Sequence, residues 1–432
     1  MSFGAFINIF ISIGLTPIVT RLYSKDEFGI YYIYVSIVGI IAMTITGMYP
    51  QAFVVPRLKR DFLALYKFCL YATIFSVLLS TFVLNIFGDY FLGILGGEKL
   101  IPFKYYIPLG LLFTSLSAIL INANVRRKEF KTNSSSNVAL SVSNKSVQLA
   151  YGKFVGGSFS GLILADICGK ILTTFILGFK NFGSDWRNIQ DIKSHEVRSV
   201  LVEYKKYPLF VLTGNFFNRF TSDLPLYILT SFFGLGAVGA FGFANQMLAI
   251  PYNVIGNSIA PVYFQRANEL YLHNKEALIS FTISSYNKML ILGALAFGFI
   301  FGFGDILFAF IFGSEWKVAG EFARILSIYY VFRIISSPFS RVFRVVKKEE
   351  YGLLINIIIA FFRILGISIG VFFNNLLISV FLFAIGNLIG YLITNVLIFR
   401  AIGLNNLKIF IPILFKITLI YSLYYLLRII II

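Results

Sequence analysis

Charge is what this sequence has least of. Only 13% of its 432 residues are charged, against about 25% in soluble domains. It has two cysteines, Cys69 and Cys168, far apart and both inside apolar runs, which excludes a disulfide framework and a cysteine metal knuckle. The two histidines, His195 and His273, lie in polar segments with no ligand cluster around them, so no metal site is indicated. There is no G-x-x-x-x-G-K-[ST] loop. Gly169-Lys170 sits in an apolar run with Leu164 where the first glycine is needed, which excludes ATP hydrolysis by that route. Ser/His/Asp sets and paired catalytic carboxylates are missing as well. Together these absences argue against an enzyme and against a bound cofactor.

Hydrophobicity fills the space that charge leaves. Apolar residues make up 58% of the chain. Runs long enough to cross a bilayer core of about 30 Å as helices recur at 3–20, 28–52, 64–87, 104–124, 134–154, 157–180, 208–232, 237–263, 283–303, 320–343, 352–373, 376–399 and 409–432. Whole runs are apolar, not alternating, so helices are expected and a β-barrel is not. The first residues, Met1 to Phe10, lack a basic n-region and read as a retained helix. The polar stretch Gln265 to Ser280 has the spacing of a surface helix at the membrane interface.

Three echoes divide the chain in two. Ile18, Thr20 and Gly29 return without a gap as Ile228, Thr230 and Gly239. Ile94 to Glu98 (ILGGE) returns as Ile311 to Glu315 (IFGSE), and Arg127-Lys128-Glu129 as Lys347-Lys348-Glu349. Their common order and near-common offset predict a duplicated all-α membrane protein. The expected layout is a six-helix lobe over 1–180, a polar linker over 181–207, a second six-helix lobe over 208–400 and an extra helix over 401–432. Six is an even number, so the lobes should be related by an axis along the membrane normal and enclose a cleft suited to alternating access. The final run either spans or lies as an interface helix anchored by Lys416, Arg428, Tyr421, Tyr424 and Tyr425.

Bases outnumber acids 37 to 19, a formal charge of +18. With the N-terminus cytoplasmic, 24 bases fall in cytoplasmic segments and seven outside. That is the positive-inside pattern, and it accounts for the charge without a nucleic-acid partner. Six bases remain inside spans: Lys145, Lys170, Arg219, Arg324, Arg333 and Arg363. Arg324 lies near a span end. Each of the others costs roughly 2.5–3.5 kcal/mol if left unpaired at mid-membrane, so none should face lipid. Asp166 with Lys170 and Arg219 with Asp223 have i,i+4 spacing on one face; Lys145, Arg333 and Arg363 have no local acid. Polar neighbours share their faces: Asn137, Ser141 and Gln148 with Lys145, Asn215 and Ser222 with Arg219, and Asn356 with Arg363. Asn8, Ser12, Asn245, Asn253 and Asn257 add to the first and eighth spans. Such stripes serve either as helix-to-helix glue or as the lining of a cavity. Five central bases against two acids leave a surplus of positive charge, which suits an anionic solute such as a phosphate or pyrophosphate.

The stretch Pro17 to Gly29 (PIVTRLYSKDEFG) resembles the opening motif of polysaccharide-biosynthesis membrane proteins, the Wzx-type O-antigen flippases of the MOP exporter superfamily with its MATE-like fold. YKKYPLF (Tyr204 to Phe210), Val238 to Arg266 and IFGSEWKVAG (Ile311 to Gly320) are similar to later parts of that family. The resemblance implies two six-helix lobes in the bacterial inner membrane and a cationic lumen. It also implies transfer of an undecaprenyl-diphosphate-linked oligosaccharide, for O-antigen, capsule or a related polysaccharide, to the outer leaflet. Lys145, Lys170, Arg219, Arg333 and Arg363 would then hold the diphosphate, with Asp166, Asp223, Asn215 and Asn356 beside them. The partners so implied are the polyprenyl-diphosphate-linked oligosaccharide, membrane lipids, a polysaccharide polymerase and a chain-length regulator. Drug-extruding relatives commonly carry an acid in the first span; Met1 to Thr20 has none, which counts against the alternative of a cation-coupled multidrug antiporter. A further alternative, an integral glycosyltransferase or polymerase, lacks a sizeable catalytic loop.

Overall fold

A computed structural model describes residues 3–346, 348, 350–404 and 410–431, without the side chains of residues 3–9, 257, 258 and 410. The expectations for the side chains of Asn8 and Asn257, and for Lys347, Glu349 and Lys408, lie outside the described residues. Every expected apolar run coincides with a helix: α1 (Phe3–Leu22), α2 (Lys25–Ile45), α3 (Lys59–Ile94), α4 (Tyr106–Arg126), α5 (Phe130–Phe154) and α6 (Phe159–Gly178). Two short helices follow, α7 (Phe182–Gln190) and α8 (Ser194–Glu203). Then come α9 (Thr213–Phe233), α10 (Leu235–His273), α11 (Lys275–Phe312), α12 (Lys317–Phe339), the single turn α13 (Val342–Val345), α14 (Glu350–Phe372), α15 (Leu376–Ala401) and α16 (Phe410–Ile431). Among the described residues there is no strand, and eight helices are long and apolar enough to cross a membrane. The chain is a multi-pass, all-α membrane protein. Helices α5, α9 and α12 are not among those eight; they carry Lys145, Arg219 and Arg333.

The echoes fall at corresponding junctions. The first marks the α1–α2 and α9–α10 corners. The second ends α3 and α11, where Gly96 and Gly313 take φ of 69° and 107°, a region open to glycine at little steric cost. Each of these glycines leads into a 3₁₀ turn, Glu98–Phe103 or Ser314–Trp316, before the next helix. Packing groups the chain into two units, Met1–Val238 and Gly239–Ile432. That division and the one expected from the linker differ in the placement of α9.

In the first unit, the stretch Pro17 to Gly29 works as a joint. Ser24 caps α2 by accepting the Glu27 N–H at 3.4 Å. The Glu27 carboxylate accepts the Phe159 N–H at the start of α6, where the helix dipole favours an anion. The Tyr23 hydroxyl donates to the Gln148 carbonyl of α5 at 2.8 Å. The α1–α2 corner thereby fixes α5 and α6, which bear two of the candidate cations. At the other end of the unit, the linker helices close a second core. Ile189, Ile192 and Val200 bury against Phe53, Phe62, Leu63 and Tyr66. Arg127 pairs with Asp185, Arg60 with Glu196, and Lys67 donates to the Ile192 carbonyl at 2.7 Å. Burial pushes the Asp185 carboxyl above its ordinary range, with Arg127 pulling the other way. The bases of this region, read from sequence only as a topology signal, are thus also its clamps.

In the second unit, α14 and α15 approach backbone to backbone. Gly366 and Gly370 of α14 pack on Leu382 and Ser379, and Gly386 and Gly390 of α15 on Phe362 and Ile359, one small-x-x-x-small pair on each helix. A methyl on Gly386 would collide with the Phe362 carbonyl, and one on Gly366 with that of Leu382. The stretch Gln265 to Ser280 is not a separate surface helix, as the sequence reading had it. It comprises the ends of α10 and α11, which meet at Asn274, whose side chain caps α11 by accepting the Ala277 N–H at 3.0 Å. The local charge pattern resembled an amphipathic helix because both helices outlast the apolar core. At 39 and 38 residues each is close to 60 Å long at about 1.5 Å per residue.

Helix α16 runs alongside α11. Pro412, Ile413 and Lys416 share a cavity of about 180 Å³ with Ile283, Tyr286 and Asn287. Tyr424 lies against Gly298 and Gly302, and Arg428 holds Asp305 through two bonds of 2.5 and 2.9 Å. From Ile283 to Asp305 the two helices keep company for about 33 Å, a full bilayer core. This corrects the interface-anchor reading of Tyr421 and Arg428. The Tyr421 hydroxyl donates to the Ser327 carbonyl at 2.9 Å, and Arg428 is bound to a helix. Asp305 also lies 3.6 Å from Arg324, so Arg324 is paired rather than snorkelling.

Candidate functional site

In the first unit the candidates form two ion pairs and one separate lysine. The Lys170 ammonium is 2.6 Å from Asp166 on α6, and Arg219 Nε is 2.6 Å from Asp223 on α9. Both follow the i,i+4 spacing read from sequence. Asp223 is bound a second time by the Ser36 hydroxyl of α2 at 2.8 Å, and Ser36 lies 2.7 Å from the Tyr227 hydroxyl. Arg219 passes over Gly39, where a side-chain carbon would sit 3.1 Å from its guanidinium. The acid is therefore held by several groups, while the Arg219 side chain remains 43% exposed. Lys145 donates to the Gln148 side-chain oxygen at 3.2 Å, and no carboxylate among the described residues is within ion-pair distance. Ser141, on the same helix, lies 3.5 Å from Ser12 of α1. Asn215 is half-buried one turn before Arg219.

In the second unit the structure joins two candidates that sequence left apart. Arg333 of α12 donates to the Tyr330 hydroxyl at 3.1 Å. Its guanidinium carbon lies 4.5 Å from the centre of the Tyr252 ring and 5.0 Å from that of Tyr330. No carboxylate among the described residues is within ion-pair distance of it either. The Tyr330 hydroxyl reaches the Asn245 side-chain oxygen of α10 at 3.3 Å. The Tyr330 ring contacts Tyr329 at 4.8 Å, and Tyr329 stacks on Tyr391 of α15 at 6.0 Å with planes 1° apart. Tyr391 in turn lies 3.4 Å from Arg363 of α14, whose Nε donates to Asn387 at 2.7 Å. Arg363 is 2% exposed, seated where the glycine pairs draw α14 and α15 together. Asn356, two turns before it, is half-buried.

Two kinds of cation result. Lys170, Arg219, Arg324 and Arg428 face carboxylates. Lys145 and Arg333 are satisfied by an amide and by phenols, which leave their charge uncompensated. A guanidinium stacked on tyrosine keeps its N–H edges for a planar anion. Sequence reasoning missed Tyr252, Tyr329, Tyr330, Tyr391 and Asn387, and overlooked Asp305 as a third embedded acid. Two signals were available: the GxxxG spacings at 366–370 and 386–390, and Tyr329-Tyr330 one turn before Arg333.

The comparisons with known proteins agree with this architecture. Residues 18–321 match the polysaccharide biosynthesis protein family. A stretch of 141 residues is 25% identical to the teichuronic acid biosynthesis protein TuaB of Bacillus subtilis strain 168. It covers 32% of this chain and only 28% of that relative's length. Among solved structures, the lipid II flippase MurJ in an inward closed conformation superposes with a TM-score of 0.69 at 15% identity, over 99% of this chain and 95% of its own. An inward-facing multidrug resistance MATE family transporter of the MOP superfamily gives 0.70 at 15% identity, over 92% and 98%. At such identities the likeness is one of fold. Since the family match takes in most of the sequence and the helical architecture is that of these transporters, the chain belongs to the polysaccharide biosynthesis protein family and has the MOP-superfamily fold.

Proposed function

We propose that this protein is a flippase that moves an undecaprenyl-diphosphate-linked oligosaccharide across the bacterial inner membrane by alternating access, with its N-terminus cytoplasmic. The observation that carries the reading is Arg333, a half-buried guanidinium of α12 framed by tyrosines, with no carboxylate among the described residues within ion-pair distance. Burying such a charge is costly, and a travelling anion would compensate it. Lys145 has the same character in the first unit. Arg219 is the most open of the paired cations and would exchange Asp223 for the diphosphate. Lys170 and Arg363, with Asp166, Asn215 and Asn356, would shape the path, and the tyrosines would stack on sugar rings. The family supports the saccharide, and the fold shared with a lipid II flippase supports the lipid carrier. A polysaccharide polymerase and a chain-length regulator would act on the delivered unit, which would serve O-antigen, capsule or a related polymer.

The test is complementation of a deletion strain. Wild type should restore surface polysaccharide, whereas Arg219→Ala and Arg333→Ala should leave lipid-linked repeat units on the inner leaflet at unchanged protein level. Normal polysaccharide in both variants would remove the site assignment. Drug efflux without any glycan phenotype would point to an antiporter instead.

A further inference from the structure

An aromatic ladder leaves α6 and continues onto α7. Phe175 and Phe179 contact at 5.4 Å, and Phe182 and Trp186 stack at 6.1 Å. The four lie at steps of four, three and four residues, and the break between Gly178, the last residue of α6, and Phe182, the first of α7, falls among them. All are exposed, Phe179 to 78% and Phe182 and Trp186 to 38% each. Asp185 and Ile189, on the same stripe of α7 at i+3 and i+7 from Phe182, are buried, one against Arg127 and the other in the linker core, so the two rings lie at the rim of the packed side. The remaining exposed side of α7, with Ser184, Arg187 and Gln190, is polar, as in a helix lying in the interface plane with its polar face to water.

We infer that α7 is a membrane-interface helix. Phe182 and Trp186 sit at headgroup level, and Lys180 and Arg187 face anionic phospholipid headgroups. Continuity fixes the occupant. Ile171, Leu172 and Phe175 are the exposed side of a membrane-crossing helix, hence its lipid side, and the ladder extends that surface to the bilayer boundary. Aromatic side chains with a polar edge favour that depth. The charges agree: Lys180 is 73% exposed beside Glu129, and Arg187 is exposed. The linker is thereby tied to the bilayer surface through Phe182 and Trp186 and to the first unit through Asp185 and Ile189.

The chain supplies its own probe. It has two tryptophans, and Trp316 is buried to 1% exposure. In nanodiscs, Trp316→Phe leaves Trp186 as the sole emitter. Should that variant fold poorly, the wild-type spectrum minus that of Trp186→Phe gives the same signal. Lipids brominated near the headgroup should quench Trp186 by at least about twofold more than lipids brominated near the chain terminus, as an interfacial ring requires. Replacing phosphatidylcholine with phosphatidylglycerol should deepen the quenching, and Lys180→Ser with Arg187→Ser should abolish that increment. Water-like emission untouched by either bromolipid would overturn the inference. So would emission that ignores lipid but follows the number of protein copies per disc, since a second copy would then cover the face. Equal quenching in both headgroups would remove the anionic partner.

Discussion

Replacing Arg333 by methionine separates a binding cation from helix glue, because the two roles predict stability changes of different size. The substitution nearly keeps the side-chain volume and removes the charge. Holding that charge at mid-membrane costs roughly 2.5–3.5 kcal/mol. Against this stand two ring faces, each worth about 0.5–2 kcal/mol, and one hydrogen bond to Tyr330, worth about 0.5–1.5 kcal/mol. The mid-range terms nearly cancel, and at their extremes Arg333→Met gains about 2 or loses about 3 kcal/mol of unfolding free energy. Binding should respond differently. Losing charge-assisted hydrogen bonds of about 1.5–3 kcal/mol weakens a diphosphate by about 10- to 150-fold. Arg333→Lys should fall between, since it keeps the charge but not the planar fork. The assay is thermal unfolding in detergent with and without undecaprenyl diphosphate. The wild type should gain a ligand-dependent shift that Arg333→Met lacks at the same concentration. A loss of more than about 3 kcal/mol in apo stability, or an unchanged ligand shift, would refute the reasoning and return Arg333 to the role of glue.

Two further outcomes follow from charged contacts away from the tyrosine cage. Asp305→Ala strands Arg324 and Arg428 inside the second unit and should cost about 3–5 kcal/mol. Arg428→Met should cost less, because Asp305 keeps Arg324; melting curves showing the reverse order would dismiss Asp305 as the anchor of α16. Near the linker, hydrogen bonds from Arg60 and the Lys193 backbone hold the Glu196 carboxyl at about 2, down from its ordinary 4.5. A depressed carboxylate stabilises fully above the unfolded value and ceases to do so as pH falls through the folded one. Protection of α8 against proteolysis should therefore fade between pH 4.5 and about 2, and Glu196→Gln should flatten that dependence; an unaltered profile would place the acid response elsewhere.

How much of this was legible in the sequence depends on the range of the physics involved. Helix positions were legible because each span carries its own solvent requirement: a long apolar run must satisfy its backbone internally wherever it packs. The Asp166–Lys170 and Arg219–Asp223 pairs were legible for the same reason, since i,i+4 spacing is a property of one helix. Contacts between helices escaped. Arg333 and Arg363 are 30 residues apart on α12 and α14, yet they meet through Tyr330, Tyr329 and Tyr391, none of which is unusual in a chain with 25 tyrosines. Their convergence depends on how closely α14 and α15 approach, and glycines at 366, 370, 386 and 390 decide that. The stretch that best marked the family, Pro17 to Gly29, turns out to act on architecture: Ser24, Glu27 and Tyr23 lock a corner and touch none of the candidate cations. A motif that builds the frame travels with the fold whatever the cargo. On the proposed function, discrimination among cargoes would rest on groups outside it, in the second unit the tyrosines that frame Arg333. Exchanging Tyr252 and Tyr330 for phenylalanine would keep the rings over the guanidinium while removing the hydroxyls, so it should spare diphosphate binding and alter which sugar is accepted.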